Sequence, residues 1–312
     1  MSALEKLGIK NLEVKNTYTN EQEQTKNTFA YQWSRRDSYE SGHVAKFARE
    51  WLIERYCDNK ESRLDELLAG NDKIIVDAGC GGGYSALALF GEKLNKHNYL
   101  GVDISDAVYT AQARFKEHGV KGDFLKSSVV DLPIGDETVD IIFSEGVLHH
   151  TDSTERSLLY LSKKLKKGGW FMFYVYVKKA PIREFTDDHI RNYLKDYSNE
   201  EAWKLLYPLT KLGIQLGKLN ATIEIEEDIP YLEMKKGTYD LQRFFYWNIC
   251  KAFYRPEFDF EEMNHMNYDW FRPLNCYRHT PDEVRSMCEK AGLEIEHINI
   301  QEAGITVVAK KV

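Results

Sequence analysis

One ten-residue stretch constrains this chain more than any other. Ile74-Ile75-Val76 is an apolar run, Asp77 ends it, and Gly79, Gly81, Gly82 and Gly83 follow before Tyr84-Ser85-Ala86-Leu87-Ala88-Leu89 takes up helical character. That order predicts a buried parallel strand over about 73–77, a tight backbone turn and a helix start. Glycine is required where a ligand touches the main chain, because a Cβ would hold it away.

The glycines alone leave the ligand open. Residues 81–86 satisfy G-x-G-x-x-A, a weak dinucleotide signal that keeps an NAD-dependent oxidoreductase, or a non-catalytic cofactor-binding regulator, as alternatives. No Lys-Ser/Thr follows, which excludes a P-loop. Asp77, just ahead of the first glycine, would repel a pyrophosphate and attract a cationic amino-acid end. The spacing Asp77-x-Gly79-x-Gly81-x-Gly83 therefore favours S-adenosylmethionine.

The rest of the chain is organised around this unit. Asn98–Asp103 predicts a second strand ending in an acid, with Ser105 as the cap of the next helix. Strands follow at 122–126, 139–144 and 170–177, with a helix over 154–167 that Gly168 stops. Strand–helix alternation implies a doubly wound parallel sheet of Rossmann-like type. It pauses after Val177 and resumes at Thr280-Pro281-Asp282-Glu283, a capping box with Pro at the first helical position. Two closing strands, 293–299 and 304–310, are near enough to form an antiparallel hairpin. The expected domains are an N-terminal arm and helical lid (1–70), a core (71–177 and 280–312), and a largely helical substrate-side cap (178–279). Residues 1–28 read as a polar, partly mobile arm.

Composition narrows the partners. A net charge of −7 speaks against a nucleic-acid backbone, which is bound through Lys and Arg. Cys57, Cys80, Cys250, Cys276 and Cys288 never form C-x-x-C, so they read as reduced thiols of a cytoplasmic protein and not as a metal site. No signal peptide and no membrane-length apolar run are expected. The oligomeric state is left undetermined.

Together these landmarks resemble the class I S-adenosylmethionine-dependent methyltransferases, in particular their small-molecule branch. The resemblance covers about 71–177 and 280–312, through Val76–Gly83, Gly101-Val102-Asp103-Ile104-Ser105, Asp131-Leu132-Pro133, Val147-Leu148-His149-His150 and Leu165-Lys166-Lys167-Gly168-Gly169. It implies an antiparallel last strand beside the fifth. It also implies Gly79 and Gly81 beneath the methionyl part, Asp77 near its ammonium, Asp103 on both ribose hydroxyls and Ile104 on the adenine. Ser128 and Val129 stand where such families often place an Asp against the adenine amino group, and Glu145 would border the sulfonium through its main chain. His149 is the candidate general base, facing the reaction centre, with His150 packed inward.

For the acceptor the expectation is a small polar metabolite methylated in line on O, N or S. Trp33, Tyr174, Tyr176, Arg183, Arg243, His265, Asp269 and Trp270 are the candidate contacts. Arg183 and Arg191 suit a carboxylate clamp. Asp269 among aromatic rings suits an amine or a product that becomes cationic. Asp187 and Asp188 read as acids of a first helical turn.

Overall fold

The computed structural model describes residues 2–14, 17–39 and 42–312, side chains 43–45 excepted. The main sheet comprises β1 (Ile74–Ala78), β2 (Asn98–Asp103), β3 (Asp123–Lys126), β4 (Val139–Glu145), β5 (Leu165–Tyr176), β8 (Leu293–Ile300) and β9 (Gly304–Lys311). A separate antiparallel pair is formed by β6 (Thr222–Ile225) and β7 (Gly237–Asp240). The sheet order is β3-β2-β1-β4-β5-β9-β8, with β9 antiparallel to both of its neighbours. This is the expected Rossmann-like fold with its terminal antiparallel hairpin.

Two compact units divide the chain. The first takes Met1–Ser34, Ala45–Val177 and Asn275–Val312, and the second takes Arg35–Val44 and Lys178–Leu274. In the first unit lie α1 (Ala3–Leu7), α2 (Asn20–Ser34), most of α3 (Gly42–Cys57), α4 (Glu61–Leu67), α5 (Tyr84–Phe90), α6 (Ala107–Glu117) and α7 (Thr154–Lys164), with α13 (Pro281–Lys290) near the end. The second holds α8 (Pro181–Leu194), α9 (Asn199–Leu205), α10 (Tyr207–Lys218), α11 (Leu241–Asn248), α12 (Phe260–Phe271) and the β6–β7 pair. No described helix is long and apolar enough to cross a membrane.

The central strands are apolar because both faces are covered. On β5, Phe171, Phe173 and Val175 enter one core layer with Val76, Val102 and Ile142, while Met172 enters the other with Ile75, Ile141 and Phe143.

Two expectations are corrected. The polar arm is not loose, because residues 12–14 run along edge strand β3. Val14 N donates to Lys126 O, Lys126 N donates to Leu12 O, and Leu4 N donates to the Asp123 carboxylate. An edge strand carries unpaired main-chain groups, and a covering segment satisfies them. The helix expected to reach Lys167 ends instead at Lys164, and Leu165 opens β5 opposite Val139. Leu165 is fully buried there, and a register shift follows through Gly168 in the left-handed region before Trp170 meets Ile141. The lysines are paired singly, Lys164 with Asp136 at 2.7 Å and Lys166 with Asp140 at 2.8 Å.

Candidate functional site

At the carboxyl ends of β1, β2 and β4 lies a cavity of about 600 Å³. In such sheets ligands bind at this edge, where neighbouring crossovers diverge. Gly79, Gly81, Asp103, Ile104, Ser128, Val129 and Glu145 line it, as do Trp33 and Phe29 of α2. The glycines are dictated by contact as well as by conformation. Gly79 has φ +89°, and a Cβ there would run into the Val147 side chain. Gly81 has φ +49°, and a Cβ there would stand 2.7 Å from Trp33 Nε1.

Asp103 is the most constrained acid of the cavity. Its Oδ1 accepts from Ser105 N at 2.8 Å and Ser105 Oγ at 2.7 Å, and its Oδ2 accepts from Gly81 N at 2.9 Å. Burial raises its pKa, while the Ser105 and Gly81 hydrogen bonds pull it back. An ionised carboxylate offers about four acceptor positions, and these three bonds leave one on Oδ2. That fits one hydroxyl of a ribose directly. The expected second hydroxyl needs Ser105 to turn away.

Asp77 is absent from the cavity lining. It is buried in β1, where Tyr99 Oη donates to it at 2.7 Å. Burial, against the Tyr99 bond, pushes its pKa up to about 7. The Cys80 thiol is also buried and pushed well above its ordinary pKa by burial and by Asp77, which makes it a packing group.

The two histidines exchange their expected places. Leu148–His150 form a 3₁₀ turn in which the two histidine rings stay close, their centroids 4.2 Å apart, yet only one of them reaches the cavity. His150 lines the cavity, and His149 is fully buried, its ring 3.9 Å from that of Tyr176. Burial, helped by His150 and His279, holds the His149 pKa well below the ordinary value. His150 Nδ1 lies 2.5 Å from Asn275 O, and since a carbonyl only accepts, Nδ1 carries the proton. Tyr174 and Tyr176 are buried beside these rings.

The cavity wall from α2 escaped the sequence reading, apart from Trp33. Gln22, Thr25, Lys26, Phe29 and Trp33 all line it, at i, i+3, i+4, i+7 and i+11. That is one helical face, and the spacing was there to be read. Polar residues hid it, because a hydrophobic pattern could not mark it. The Glu145 side chain is committed to Arg55 and Tyr56, a link also absent from the sequence reading.

The candidates of the second unit are held in an internal network. Arg183 pairs with Asp187 at 2.8 Å, both fully buried, and donates to Tyr246 O. With Pro181 as the first residue of α8, Asp187 stands in its second turn, so it is the counter-ion of Arg183 and not a first-turn acid. Arg191 donates to Trp270 O at 3.0 Å and pairs with Asp188, so the expected carboxylate clamp is spent within the protein. Arg243 bonds Gln242 and Tyr254 O. His265 Nδ1 lies 2.8 Å from Ser38 Oγ, and burial pushes its pKa down to about 4 against the pull of Asp269. Trp270 is faced by Lys251 at 4.8 Å, Arg183 at 5.3 Å and Lys179 at 5.5 Å. The chain's own cations thus take the ring that was expected to receive a cationic ligand.

Comparison with known proteins adds the following. Residues 76–173 match the family model described as a methyltransferase domain. The chain is similar to the mitochondrial ubiquinone biosynthesis O-methyltransferase of Candida albicans, 32% identical over 140 residues that cover 41% of this chain and 40% of that protein. It is also similar to the ubiquinone biosynthesis O-methyltransferase of Rickettsia canadensis, 26% identical over 188 residues covering 56% of this chain and 73% of that one. It spans only 32% to 40% of the length of the first curated relatives it matches. Among solved structures, magnesium protoporphyrin IX methyltransferase from Synechocystis PCC 6803 with bound S-adenosylmethionine superposes with a TM-score of 0.49 at 12% identity, covering 96% of this chain and 100% of that one.

Proposed function

From the class I S-adenosylmethionine-dependent methyltransferase domain that this chain carries, we propose an enzyme that transfers a methyl group to a small polar acceptor. The observation that carries this reading is the cavity at the ends of β1, β2 and β4, floored by Gly79 and Gly81 and bearing Asp103 with an acceptor position left on Oδ2. Its sides differ in character. Ile104, Val129 and Val130 make an apolar part at the β2–β3 end, suited to an adenine, and Glu145 stands at the β4 end, where the sulfonium would lie. The dinucleotide alternative loses support, since residues 81–86 fall inside the methyltransferase-domain match.

The bound donor supplies a methyl group on an already activated sulfonium, so the protein's work is to align the acceptor and exclude water. Where the acceptor must lose a proton, the cavity histidine His150 is the better placed base: with its proton on Nδ1, Nε2 carries the lone pair. Buried His149 packs against Tyr176, and neither of them lines the cavity. Similarity to O-methyltransferases makes oxygen the first acceptor atom to test. The net charge of −7 supports a small molecule in preference to a nucleic acid.

Calorimetric titration with S-adenosylmethionine and S-adenosylhomocysteine tests the reading. Asp103→Ala is expected to weaken both by roughly tenfold to a hundredfold, the worth of a charge-assisted hydrogen bond, and to lower Tm by several degrees because Gly81 N and Ser105 lose their acceptor. Undiminished affinity in that variant would falsify the donor assignment. A labelled-methyl screen of small phenols and other hydroxyl compounds then identifies the acceptor.

A further inference from the structure

The end of β4 holds a buried ion pair that the proposed reaction has not yet used. Glu145 lines the cavity, and both of its carboxylate oxygens are gripped, Oε1 by Arg55 Nη2 at 2.5 Å and Oε2 by Tyr56 Oη at 2.6 Å. Arg55 is only 1% exposed. Its guanidinium carbon lies 3.5 Å from the Trp51 ring centre and 4.2 Å from that of Tyr174, contacts that fix its plane. Trp51 Nε1 donates in turn to Gln301, whose amide donates to Glu54, and His297 Nε2 lies 2.9 Å from Arg55 O. The carboxyl-terminal half of α3 is thereby tied to β4, β5 and the terminal hairpin. Glu145 cannot swing without breaking several of these contacts.

Taking such a pair out of water costs several kcal/mol per ion, and apolar side chains of similar volume would fill the space as well. The arrangement is also directional. Glu145 is the member of the pair that lines the cavity, and Arg55 lies behind it against the Trp51 and Tyr174 rings. A carboxylate held in this way presents a fixed negative edge that needs no reorganisation when a cation arrives.

Resting on the donor-binding reading above, we propose that Glu145 is the group that distinguishes the cationic methyl donor from its neutral product, with Arg55 and Tyr56 as its positioning residues. The glycines of β1 separate the β2 end, with Asp103, from the β4 end, with Glu145. A ligand whose diol meets Asp103 and whose adenine lies among Ile104 and Val129 directs its sulfonium end toward β4. In the transfer, a lone pair of the acceptor takes the methyl group, and the electrons of the broken C–S bond stay on sulfur. Any proton on the acceptor passes to His150 or to solvent. The sulfur leaves neutral, so a fixed carboxylate holds the donor and lets the product go.

The test is the ratio of the two affinities in the full chain, measured by calorimetry with S-adenosylmethionine and S-adenosylhomocysteine. Glu145→Gln is expected to weaken the donor about tenfold and to leave the product within about twofold. Because that change strands Arg55, the double variant Arg55→Met/Glu145→Gln is titrated beside it, with an expected fall in donor preference of about threefold or more. Tyr56→Phe, which removes one hydrogen bond and keeps the ring, shifts the ratio the same way by less. A folded double variant that binds the product normally and keeps the wild-type ratio overturns the inference and leaves the donor reading standing. Wild type that binds neither ligand overturns the reading itself.

Discussion

Asp77 shows how a single residue can be legible in kind and misread in place. Its position before the glycines suggested an acid facing a cationic ligand end, an expectation drawn from local order along the chain alone. What the sequence could not supply is Tyr99, twenty-two residues away, whose hydroxyl holds the carboxylate inside the sheet. Burial raises the pKa from 3.8 to about 7, so the folded state binds the proton more tightly than the unfolded chain does. By linkage, stability is greatest below the unfolded pKa, falls as pH rises from about 4 to about 7, and levels off above. Asp77→Asn keeps the size and the partner and removes the titration. Denaturant melts of the two proteins between pH 4 and pH 8 should show wild type losing ground by a few kcal/mol, on the order of 1.4 per pKa unit. Parallel profiles for the two would show that Asp77 does not titrate there.

At the scale of elements, the strand–turn–helix of β1 and α5 was readable because its demands are local: an apolar run, and glycines where the backbone takes φ above zero. The wall provided by α2 was harder, because its inner face is polar. Gln22 donates to His150 O, Thr25 Oγ1 accepts from Asn275 N, and Phe29 meets the His150 ring edge-on at 4.9 Å. These contacts tie α2 to the turn after β4, and Trp33 closes over Gly81. Trp33→Ala removes the lid over that glycine and leaves the other α2 contacts in place. We expect donor affinity to fall about tenfold, the scale of losing a buried aromatic contact of about 1.5 kcal/mol, while Tm moves by only a few degrees. Equal affinity in the variant would mean that α2 walls the cavity without touching the ligand. Gly79→Ala has a harsher expectation, because the φ strain and the Val147 clash act together. A loss of about 1–3 kcal/mol in chemical denaturation is the expected result.

For the whole molecule, the alternation of strands and helices was sufficient to give the sheet and its closing hairpin, since right-handed crossovers leave few topologies. The second unit stayed opaque. Its arginines and acids form internal pairs such as Arg183–Asp187, and a sequence does not distinguish a buried counter-ion from a ligand contact. Every residue lining the cavity belongs to the first unit. The chain leaves that unit at Val177 and returns at Asn275, and Val177 forms a bridge with His279, so the two ends are close. Replacing 178–274 with a short Gly-Ser linker is therefore expected to leave a cooperative melt and a donor affinity within about threefold, because the loop-closure cost of a short linker between near ends is small. Methyl transfer should be lost if the second unit selects the acceptor. Circular dichroism, calorimetry and a labelled-methyl assay on the same preparation separate the outcomes. A folded deletion protein that still methylates the wild-type acceptor would place acceptor recognition in the first unit, beside His150. One that folds but no longer binds the donor would show that the cavity depends on more than the residues lining it.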